Sequence, residues 1–143
     1  MYNKGLKAYA SVGVNNQVVT ADPYRVIQML LQGALDKMAY AKGSIERKDF
    51  AAKAENLSKS VAIVKALQDA LDMDVKADVT NNLFDLYSFI IDQLTDVSVE
   101  NDVEKLEETM FVLRQIKEGW DAIPVTAREE GLRMQAERQA AGA

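Results

Sequence analysis

The stretch DPYRVIQMLLQGALDKMAYAKGSI, residues 22–45, decides the fold. Its apolar residues Ile27, Leu31, Ala34, Met38, Ala41 and Ile45 recur at intervals of 4-3-4-3-4. That spacing lines one side of an α-helix. Val26, Leu30 and Leu35 widen the stripe beyond a two-stranded seam, so the helix must face several neighbours at once. Asp22 is placed to cap the free amides, and Pro23 suits the first helical position, where its missing N–H is not needed. Gly33 lies inside the helix at a cost of about 1 kcal/mol relative to Ala. The expected compensation is close packing of another backbone against it.

Three further helices follow. Asp49 caps a second helix reaching about Leu71, with a seam of Ala54, Leu57, Val61, Val64 and Leu71 and with Ile63 and Leu67 to one side. Asp74 or Asp78 caps a third, running to Val97 with Val79, Leu83, Leu86, Ile90, Leu94 and Val97 as its seam. Asn101 with Glu104 forms a capping-box pattern for a fourth, whose seam is Val103, Leu106, Met110, Leu113, Ile116 and Trp120, and Pro124 ends it. Short connections make neighbours antiparallel. The expected fold is all-α, an up-down four-helix bundle over residues 22–123.

Two segments flank it. Residues 1–21 mix loop-like Gly5, Gly13, Asn15 and Asn16 with apolar Tyr9, Val12, Val14, Val18 and Val19. They read as an N-terminal arm, either frayed or docked on the body. Residues 124–143 form a C-terminal tail in which Thr126 and Glu129 repeat the capping-box pattern, so an extra helix over residues 127–140 is expected. Leu132 and Met134 are two apart and do not share a face, which leaves that tail weakly attached or disordered.

Composition narrows the chemistry. The 143 residues carry a formal net charge of -5, which disfavours nucleic acid and anionic membrane surfaces as partners. Neither Cys nor His occurs. A thiol nucleophile, an imidazole base and any Cys/His metal site are therefore excluded, and with them the Glu-x-x-His di-iron site of helical bundles. No Gly-rich phosphate loop is present. We expect no catalytic residue, metal or cofactor. The chain shows no apolar leader core and no membrane-spanning run, so the cytoplasm is the expected compartment.

Surplus apolar surface remains. Ile63, Leu67 and Ala70 make a second stripe on the second helix, and Phe84, Tyr87 and Ile91 make one on the third. A bundle helix needs only one apolar face. The extra stripes either widen the core, bury against the arm or form an outer groove for an amphipathic partner.

Taken in order, Tyr9, Val18-Val19-Thr20-Ala21-Asp22-Pro23, Met29-Leu30-Leu31-Gln32-Gly33-Ala34-Leu35, Asn82-Leu83-Phe84-Asp85-Leu86-Tyr87 and Trp120 resemble the flagellar export chaperone (FliS) family. The resemblance spans roughly residues 2–122 and departs at Leu31-Gln32, where the family often has Tyr-Asp. It implies a cytoplasmic helical bundle that binds the disordered C-terminal segment of flagellin in apolar grooves, blocks premature polymerisation and meets the flagellar export gate. It also implies an arm that covers part of the groove and is displaced. On this basis Ile63, Leu67, Phe84, Tyr87 and Ile91 are the expected client-binding residues, and Tyr9 and Val18 the covering arm. The expected state is a monomer or weak homodimer. The alternative is a structural bundle that self-associates through the same stripes and has no flagellin client.

Overall fold

A computed structural model describes residues 22–74 and 77–142, and the regular structure among them is entirely helical. The helices are α1 (Pro23–Glu46), α2 (Phe50–Asp69), α3 (Asp78–Glu100), α4 (Val103–Asp121) and α5 (Val125–Ala141). Helices α1 and α3 each pack against both α2 and α4. Cross-links fix the directions. Lys53 at the start of α2 donates to the Ser98 carbonyl near the end of α3 at 2.9 Å, and Gln68 at the end of α2 donates to the Phe84 carbonyl near the start of α3 at 3.0 Å. At the start of α1, the Tyr24 hydroxyl donates to the Trp120 carbonyl at the end of α4, at 2.9 Å. The four helices form the expected antiparallel bundle.

The caps follow local chemistry, with shifts at two junctions. Asp22, Asp49 and Asp102 each accept from a main-chain amide three residues on, as N-caps should. The α4 cap is thus Asp102, not Asn101. Asn101 instead ends α3 in the left-handed region, at φ 56°, a conformation asparagine tolerates. Its side chain accepts from Lys53 Nζ at 2.6 Å. Neither Asp74 nor Asp78 caps α3: its N-cap is Ala77, without a side-chain bond. Likewise α5 starts after Pro124 rather than on a Thr126–Glu129 box.

The core is built chiefly on α1, where Val26, Leu30, Leu31, Ala34, Leu35, Met38, Ala41 and Ile45 are buried. On α2 the buried face is rotated from the expected seam. It runs through Lys53, Leu57, Ser60, Val64 and Leu67, with Ile63 beside it, while Ala54 is exposed. Two polar residues hide this stripe in the sequence. Ser60 satisfies its hydroxyl on the Ala34 carbonyl at 3.0 Å, and Lys53 uses its ammonium at the α3–α4 turn. On α3, Tyr87 is buried where Leu86 was expected. Gly33 approaches a side chain and not a backbone: a Cβ there would lie 3.7 Å from Ile63 Cδ1.

Helix α5 forms, yet none of its residues is buried. It is held mainly by its ends. The Arg128 guanidinium lies 4.0 Å from the Tyr24 ring centroid, and Arg138 pairs with Asp72 at 2.7 Å.

Candidate functional site at the open end of the bundle

Helices α1 and α3 begin, and α2 and α4 end, at the same end of the bundle. There the core reaches the surface. A recess of about 420 Å³ opens between the helices, with Leu31, Leu67, Tyr87 and Ile116 as its floor and Val79 and Leu83 on its α3 side. The recess stays open for local reasons. Gly119 contributes no side chain to the wall, and a Cβ there would meet nothing within 4 Å. The first turn of α3 carries Val79, which is 69% exposed.

A second recess of about 290 Å³ shares Ile27, Ala70, Trp120 and Ile123 with the first and is walled on its far side by Arg128 and Leu132 of α5. Its centre is a clasp. The Tyr24 and Trp120 rings stack at 5.3 Å with 13° between planes, and the Trp120 indole N–H donates to the Tyr24 carbonyl at 3.0 Å. Next to it, Asp121 accepts from Lys117 at 2.6 Å and from Gln28 at 2.8 Å. The Lys117 bond and then the Gln28 bond hold its carboxyl below the ordinary value. Burial pushes the Tyr87 phenol above its ordinary value.

The expected site residues divide by burial. Ile63 is 0% exposed, and Leu67 and Tyr87 are also buried. Of the roles left open for the α2 stripe, core-widening describes Ile63 and Leu67, because the buried face of α2 turns toward α1. Leu67 and Tyr87 still show one edge to the recess. Ile91 is partly buried against the core, and Phe84 is 37% exposed. Phe84 borders a shallow acidic depression with Met73, Asp69 and Asp72. Tyr9 and Val18 lie outside the described residues. The sequence reading missed Tyr24, Ile27, Gly119 and Ile123 as recess residues. A signal was available, since up-down topology brings Tyr24 at the head of α1 to Trp120 at the foot of α4.

No group of three or more His, Cys, Asp or Glu is placed to hold a metal ion among the described residues, and no described helix is long and apolar enough to cross a membrane. Fold and recess together define a helical-bundle protein with a pre-formed apolar cleft. Comparison with known proteins makes this specific. The family described as flagellar protein FliS matches residues 5–127, and this chain belongs to it. A flagellar secretion chaperone FliS of Vibrio cholerae is 33% identical over 132 residues, covering 89% of this chain and 97% of the relative. The FliSB chaperone of Pseudomonas aeruginosa is 36% identical over 120 residues, covering 84% and 95%. A Salmonella typhimurium FliS is 36% identical over 120 residues, covering 83% and 89%.

Proposed function

We propose that this protein is a cytoplasmic export chaperone whose client is the disordered C-terminal segment of flagellin. The observation that carries this reading is the open apolar recess with Leu67 and Tyr87 in its floor, on a bundle of the FliS family. The client segment lays an amphipathic helix into the recess and continues along the α2–α3 edge past Phe84 and Ile91. Ile63 supports that surface from within. Binding is coupled to folding: the client gains helix and buries apolar area at about 25 cal/mol per Å², against the cost of ordering it. A client held this way has its assembly segment occupied, which blocks premature polymerisation and leaves the complex fit to meet the export gate.

The arm supplies regulation. In this proposal Tyr9 and Val18 of the arm compete with the client for the apolar surface. The protein acts as a monomer or weak dimer. Calorimetric titration with a flagellin C-terminal peptide, with circular dichroism on the same mixture, tests the proposal. Saturable binding, a negative heat-capacity change and added helix are expected. A folded bundle that gives none of these, while its mass rises with concentration, would establish the self-associating alternative.

A further inference from the structure

We propose that the recess under α5 is a carboxylate-reading subsite, in which Arg128 takes an Asp or Glu side chain of the client next to an apolar residue; this rests on the proposed client reading. The observations are local to α5. Arg128 lines the 290 Å³ recess, and its guanidinium carbon lies over the Tyr24 ring, 4.0 Å from the centroid. Its Nε is buried without a hydrogen-bond partner among the described residues. A buried donor without an acceptor is costly, and a guanidinium receives a carboxylate through paired N–H groups.

The rest of the recess is apolar, with Pro23, Ile27, Ala70, Ile123 and Leu132 on its walls. A ligand that satisfies both features has a branched aliphatic side chain and a carboxylate within one helical turn of it. The arm does not meet this description. Residues 1–21 contain Lys4 and Lys7 and no Asp or Glu. On that reading arm and client compete for the apolar recess between the helices, but only an acidic client gains the Arg128 contact. The subsite lets a client outbid the covering arm. It also gives α5 a role, since its recess-facing side supplies the cation while its other faces remain exposed.

The test has two arms. In the first, isocaproate, a leucine-like carboxylate, is titrated into the full chain while the Arg128 Nε–H and Trp120 Nε1–H signals are followed by NMR. Both signals shift saturably with isocaproate, isocaproamide leaves them in place, and Arg128→Gln abolishes the Trp120 shift. In the second, a flagellin C-terminal peptide is titrated into wild type, Arg128→Gln and Arg128→Lys. Binding weakens by about tenfold in Arg128→Gln and by less in Arg128→Lys. Equal shifts with the amide, unchanged peptide affinity in Arg128→Gln, or tighter binding in that variant would overturn the subsite; the last would make α5 a lid. If isocaproate behaves as expected but the peptide fails to bind wild type, the flagellin reading falls and the subsite stands.

Discussion

Tyr24 and Trp120, 96 residues apart, each donate a side-chain hydrogen bond to the other's main-chain carbonyl. The stacked pair ties the head of α1 to the foot of α4. It also stands between the two recesses, so bundle stability and recess shape depend on the same contact.

Removing one of these bonds should cost little and reveal much. Tyr24→Phe keeps the stacked ring and loses the bond to the Trp120 carbonyl. The expected loss is about 1 kcal/mol, seen as a fall of roughly 3 °C in thermal midpoint. Denaturant unfolding measures it. An unchanged midpoint would show the bond to be incidental.

Gly33→Ala should stabilise the bundle. The added methyl group meets Ile63 Cδ1 at 3.7 Å, an ordinary van der Waals distance. The helix gains about 1 kcal/mol in propensity. A lower midpoint for this variant would mean that α1 and α2 approach more closely than the structure places them.

Lys53 closes the α3–α4 turn through the Ser98 carbonyl and the Asn101 side chain. Lys53→Met removes two charge-assisted bonds and should cost about 2 kcal/mol. Asn101→Gly should cost less, because glycine is at ease at the positive φ found there. Equal losses in the two variants would shift the weight from Lys53 to the turn itself.

Much of the fold is legible in the sequence. Residues 22–45 carry a nearly unbroken apolar stripe, and three of the four bundle caps are Asp side chains accepting from main-chain amides. The rest was hidden by satisfied polar groups. Ser60 and Lys53 occupy core-facing positions because an Ala34 carbonyl and the α3–α4 turn take their donors, and this displaced the reading of α2 by about one position. Tyr87 and Leu86 are adjacent and both large, so periodicity alone could not choose the buried one. The recess was least legible. It is formed by an absence, the missing side chain of Gly119, and by the convergence of four helix ends.

Alkaline pH should loosen the bundle through Tyr87. Burial raises its phenol above the ordinary value of 10.0, so the folded state retains a proton that the unfolded chain gives up. That stability is fully present below pH 10 and is lost as pH rises toward the folded value. In an alkaline unfolding series, Tyr87→Phe should flatten the decline relative to wild type. Parallel curves would assign the decline to other groups.

The most direct measurement uses Trp120, the single tryptophan of the chain, which borders both recesses. A flagellin C-terminal peptide without tryptophan is titrated in while indole fluorescence is recorded beside calorimetric heat. If the recess receives the client, emission shifts to the blue and saturates at the same peptide concentration as the heat, and Phe84→Asp weakens both while the bundle stays folded. Saturating heat with unchanged Trp120 emission would contradict the account, since the client would then bind away from the open end.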